Sequence, residues 1–167
     1  MLLFALAESH DVHKALLWLI GDISLARTGF LVPTGGAAIL LIVCAFFYAP
    51  HLNLLSYGTS YAHNAGVSRA DSAAIFWIAS ALTALSVSLC GVVSFVGLII
   101  PHFVRKITGP DHRTLVPLSA IAGGSFLTLC DTFGRVIAYP FEIPSGVITG
   151  FIGGIFLVLI LVKSRSD

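Results

Sequence analysis

Apolar residues in this chain run on for long stretches without alternating with polar ones. Stretches free of Asp, Glu, Lys and Arg cover residues 28–68, 72–104, 114–130 and 143–162. Each is near or above the roughly 18 residues that mark a membrane-span candidate. At a rise of 1.5 Å per residue, about 20 residues cross a bilayer core of roughly 30 Å, where only helices or closed barrels satisfy the backbone. Runs this long and unalternating select helices. The pattern predicts spans over 30–49, 73–96, 114–137 and 146–163, and Met1 to Glu8 has the look of the stump of an earlier span. The expected fold is an all-α integral membrane protein, one membrane domain over 1–167 with about four full transmembrane helices.

Composition agrees with that pattern. The chain is 57% hydrophobic and 10% charged, with a mean hydropathy of +0.98, whereas a soluble domain carries about 25% charged residues. A soluble globular domain is excluded. Nine Lys and Arg face eight Asp and Glu, a formal net charge of +1, so no basic surplus exists to neutralise a nucleic-acid backbone. Cys44, Cys90 and Cys130 lie inside apolar stretches without metal-binding spacing, and are expected to pack as small apolar residues, with no metal site and no cofactor. Met1 to Ala7 has no basic residue ahead of it, lacks the n-region of a signal peptide, and is too short to span.

Charge also orients the spans, because short cytoplasmic loops carry the excess of Lys and Arg. Residues 97–113 hold Arg105, Lys106 and Arg113; with 50–72 and the tail on the same side, Arg69, Lys163 and Arg165 join them. Lys14, Arg27 and Arg135 are left outside. This arrangement requires a broken half-crossing helix between 97 and 107, and Pro101 is expected to break it, since its ring removes an amide donor and clashes with the preceding turn.

Four groups of residues are candidates for function. In the patch from Ser94 to Arg105, Gly97 is expected to permit close helix approach and Pro101 to kink the chain, while Gly109-Pro110 turns it before Asp111, His112 and Arg113. A broken helix and a charged turn without chemistry explain this patch, and His102 receives no catalytic role. Asp131 and Arg135 stand four apart on one predicted helix, where each partly neutralises the other beside hydrocarbon; a self-contained pair and a functional site remain level alternatives. Glu142-Ile143-Pro144-Ser145-Gly146 leads into a helix start, and Gly146, Gly150 and Gly154 leave a flat strip for a close helix neighbour, within the subunit or between subunits. Finally, 50–72 contains an uncharged but polar loop, in which Tyr57 and Tyr61 are expected to share a helical face, as are Gly58 and Ala62. An interfacial connector or a short helix seated on a partner would both fit.

Taken in order, these residues resemble the C-terminal half of the FecCD family, permease subunits of ABC importers for cobalamin, iron-siderophores and haem. The resemblance runs from Leu17-Trp18-Leu19-Ile20-Gly21-Asp22-Ile23-Ser24 through Gly58, Ala62 and Gly66, the Gly97 to Arg113 patch and Asp131-x-x-x-Arg135 to Glu142-x-Pro144-x-Gly146-Val147-x-Thr149. It implies half of a ten-helix type II importer permease in the cell (inner) membrane. It further implies a second permease copy as dimer partner, an ABC ATPase on the cytoplasmic face, an extracytoplasmic substrate-binding protein on the outer face, and lipid around the spans. Gly58, Ala62 and Gly66 then map onto a cytoplasmic coupling loop over 50–72, and Arg135 onto the surface that docks the binding protein. Thr59, Ser60 and His63 stand where the family commonly has acidic and basic residues, and Ile155 replaces a frequent Pro.

No Gly-x-x-x-x-Gly-Lys-Ser/Thr phosphate loop occurs, so the chain is expected to be a passive pathway and not an enzyme, with ATP hydrolysed by a separate subunit. Family members are about twice this length, which implies an incomplete permease needing an N-terminal half. A truncated, non-transporting remnant that folds or associates with related permeases is the alternative. An intramembrane enzyme ranks last, since no His-Glu-x-x-His or Gly-x-Ser-x-Gly constellation is present.

Overall fold

The computed structural model describes residues 9–26, 28–137 and 142–164; Met1 to Glu8, Arg27 and Arg165 lie outside them. Every regular element among the described residues is helical: α1 (Ser9–Ile20), a 3-10 turn (Ile23–Leu25), α2 (Thr28–Phe47), α3 (Ala49–Leu55), α4 (Thr59–Asn64), α5 (Arg69–Cys90), α6 (Val96–Thr108), α7 (His112–Ile137) and α8 (Ser145–Ser164). Four of these, α2, α5, α7 and α8, are long and apolar enough to cross a membrane, with mean hydropathies of 2.3, 1.9, 1.3 and 2.5. Neither α2 nor α5 contains a buried residue. Val32 is 83% and Trp77 70% exposed. Helices apolar on all sides are stable only when lipid or other protein covers them.

The predicted spans appear in order, with one displaced boundary and one misplaced break. The second span ends at Cys90 and not at 96, because the chain leaves helical geometry over Gly91–Phe95, with Gly91 at φ 73° and Phe95 at φ 66°. Pro101 breaks nothing and lies inside α6. As the sixth residue of the helix, it forfeits the hydrogen bond to the Gly97 carbonyl without ending the helix. The half-crossing is real in length: the 13 residues of α6 extend about 20 Å, short of a bilayer core.

Two compact units make up the chain. The first takes its described residues from 9–26, 87–99, 125–137 and 142–164. It is joined backbone to backbone: Asp22 N donates to Cys90 O at 2.9 Å and Gly146 N to Gly21 O at 2.8 Å. A Cβ on Gly91 would fall 2.0 Å from Trp18 O, and one on Gly146 1.9 Å from Ile20 O. Only residues without side chains allow main chains this close inside a membrane domain. Gly97, in contrast, has nothing within 4 Å of a Cβ position, so the expected close approach there is absent among the described residues.

The second unit comprises 28–86 and 100–124. Its buried apolar side chains, Ala49, Ala62, Val67, Ile100, Val104 and Leu115, come from the 50–72 connection, its flank, α6 and the start of α7. Ser68 and Asp71 open α5 reciprocally: Asp71 N donates to Ser68 Oγ at 3.1 Å and Ser68 N to Asp71 Oδ2 at 3.0 Å. Such a capping box stops a preceding helix and starts the next within one turn.

Candidate functional site

The connection over 50–72 folds as two short helices, α3 and α4, around a glycine turn. Gly58 stands at φ 109° and ψ 149°, a region essentially closed to residues with a Cβ, and Gly66 at φ 98° closes the segment behind α4. Ala62 N donates to Gly58 O and Val67 N to Ala62 O, both at 3.0 Å, while His63 Nδ1 lies 2.7 Å from Val67 O. Tyr57 precedes α4, so it does not share a helix with Tyr61. The turn nevertheless brings their rings to a centroid separation of 5.8 Å.

Ala62 corrects an expectation. Its side chain is 0% exposed, so it packs inside the segment and cannot be the surface a partner touches. The outward surface consists of Tyr57, 75% exposed, Tyr61, 57% exposed, and Thr59, Ser60, His63 and Asn64. Exposed aromatic side chains set in small polar residues, with no charged group, have the composition enriched at interfaces.

This segment is fastened to the start of α7. Asn53 Nδ2 donates to Asp111 Oδ1 at 2.7 Å, and Asn53 Oδ1 accepts from His112 N at 2.8 Å and lies 2.7 Å from His112 Nδ1. Asp111 Oδ1 also accepts from Arg113 N at 3.0 Å. Hydrogen bonds from Asn53 and from the Arg113 amide hold the Asp111 carboxyl below its ordinary value. Asn53 was not singled out in the sequence, because a capping partner supplied from a distant element leaves no local spacing. Gly109, at φ 86°, ends α6 in the left-handed turn that the Gly-Pro pair implies.

In the other unit, Arg135 Nε donates to Asp131 Oδ2 at 2.9 Å, and Arg135 Nη1 stands 3.9 Å from Glu142 Oε1. The side chain of Arg135 is 47% exposed. One guanidinium therefore serves two carboxylates, and the Asp131–Arg135 pair of the sequence gains Glu142 as a third member. Pro144 precedes α8, and Val147 N donates to Pro144 O at 3.0 Å. The helix starts at Ser145, within the expected motif, but Ser145 does not cap it, since its Oγ is buried without a hydrogen-bond partner among the described residues.

The glycines of α8 divide. Gly146 meets Ile20, and Gly153 meets Phe95 with a Cβ position 2.2 Å from Phe95 Cβ, whereas Gly150 and Gly154 have nothing within 4 Å. These two line an open apolar groove with Phe151, Ile155, Val158 and Leu159. Gly150 is thus not at a close contact among the described residues. His102 lies half-buried in α6.

Comparison with known proteins places this arrangement. The profile of the FecCD transport family matches residues 1–163. The Fe(3+) dicitrate transport system permease protein FecD of Escherichia coli (strain K12) is 37% identical over 163 residues, covering 96% of this chain and 51% of that protein. The cobalamin import system permease protein BtuC of Halobacterium salinarum is 39% identical over 160 residues, covering 92% of this chain and 42% of its own length. The hemin transport system permease protein HmuU of Yersinia pestis is 28% identical over 97% of this chain. A solved structure described as a metal-chelate type ABC transporter in an inward-facing conformation superposes with a TM-score of 0.83 at 27% identity, over 97% of this chain and 53% of the other. The chain spans about half the length of the relatives it matches.

Proposed function

The chain belongs to the FecCD transport family, and on that premise we propose that it forms half of the transmembrane pathway of an ABC importer for a metal chelate, of the iron-siderophore, haem or cobalamin class. As a multi-pass membrane protein with four candidate spans, it supplies a route and not a reaction. ATP hydrolysis belongs to a separate ATPase, selection of the chelate to an extracytoplasmic binding protein, and the other half of the route to an N-terminal partner polypeptide or segment. The setting is the cell (inner) membrane.

The observation that carries this reading is the 50–72 segment: two short helices fixed by glycines and by Asn53, presenting an exposed Tyr57–Tyr61 pair. Such a surface suits the cytoplasmic ATPase. Gly58 and Gly66 shape it, and Ala62 acts from within as its packing. Arg135, half exposed and with donors to spare beyond Asp131, is the docking residue for acidic groups of the binding protein. The groove at Gly150 and Gly154 is the seat of a second permease copy. Cysteine introduced by Tyr61→Cys should crosslink to the ATPase in membranes containing both; a crosslink formed equally well from a control within a membrane span, Val32→Cys, would contradict the assignment.

A further inference from the structure

The start of α7 is capped from two sides. An α-helix leaves its first four amides without intrahelical acceptors. Asp111, just before α7, satisfies one of these with its own carboxylate, accepting from Arg113 N. The amide one residue earlier, His112 N, is satisfied not by any residue of α7 or its approach but by Asn53 Oδ1, 59 positions away in sequence. The same amide side chain donates to the capping carboxylate through Nδ2. Asn53 therefore uses both of its functions on the residue that caps α7 and the one that begins it, and the segment bearing Tyr57 and Tyr61 follows within a few residues.

We propose that Asn53 is a positioning residue: it completes the N-terminal cap of α7 from α3, so that the partner-facing segment cannot shift without carrying α7 or uncapping it. The chemistry is specific to an amide. A carboxylate in its place would keep the acceptor for His112 N but oppose Asp111 with like charge; an apolar residue would leave both His112 N and Asp111 short of a partner. The mechanical consequence, that force from an ATPase enters α7 through this link, rests on the proposed function, whereas the link itself does not.

The test is hydrogen exchange on the full chain in lipid nanodiscs. Asn53→Asp should raise exchange of the amides over 112–115 and of the 56–67 segment by about 5- to 30-fold, the factor expected for a lost cap, while α8 is unchanged. Asn53→Asp combined with Asp111→Asn restores one donor facing one carboxylate and should return protection to near the original level. Unchanged exchange in the single variant, or failure of the double variant to recover, overturns the proposal. In parallel, the single variant should weaken ATPase binding and the double variant restore it. If the unaltered chain binds no ATPase, the importer reading falls, and the exchange result still decides whether Asn53 caps α7.

Discussion

Gly58 and Asp111 show what single residues contribute. At φ 109° and ψ 149°, with nothing within 4 Å of a Cβ position, a side chain at residue 58 meets backbone strain but no neighbour. Gly58→Ala should therefore cost about 1–3 kcal/mol locally, read as faster exchange over 57–64 with the spans untouched. Asp111 sets a pH limit. Its carboxyl is held below the ordinary value of 3.8, so the stability it adds is complete above that value and is lost as pH falls through the lower folded value. The Asp111 contribution to protection over 112–115, read as exchange corrected for intrinsic rates, should be lost as pH falls below about 4.

Among the elements, α8 separates two kinds of glycine that sequence spacing merged. At 100° per residue, Gly146 and Gly153 lie roughly 20° apart on the helix, while Gly154 lies roughly 80° from Gly146. Four glycines within so narrow an arc leave the inward face undecided until Ile20 and Phe95 occupy it. Gly153→Ala should then destabilise the chain by about 1–3 kcal/mol through overpacking against Phe95, lowering its melting temperature in detergent. Gly150→Leu should leave that temperature unchanged and reduce crosslinking between two copies; an equal loss of stability from both substitutions would show that the helix has only one packed face. The same contrast explains the break before α6. Pro101 is the visible breaker, yet α6 runs through it, whereas close contact of Gly91 with Trp18 O is a tertiary fact no local pattern carries. The spans were legible because length and hydropathy dictate them, and the short helix between 97 and 107 because the placement of basic residues calls for it. The burial of Ala62 and the reach of Asn53 to α7 were not, since both depend on how the second unit folds back on itself.

For the whole molecule, the unburied apolar sides of α2 and α5 and the half-length match to the relatives both fit the proposal that these helices work within a larger membrane assembly. Arg135 offers a check on the proposed docking of the binding protein. Arg135→Glu places a third carboxylate beside Asp131 and Glu142, and should weaken binding-protein docking by about 1–3 kcal/mol, most strongly at low salt. The central claim is tested most directly by ATP-driven uptake of a ferric siderophore, haem or cobalamin into vesicles. The vesicles hold the ATPase, binding protein and N-terminal half, with and without this chain. Uptake that appears only when the chain is present is the predicted result; uptake at the same rate without it would contradict the account.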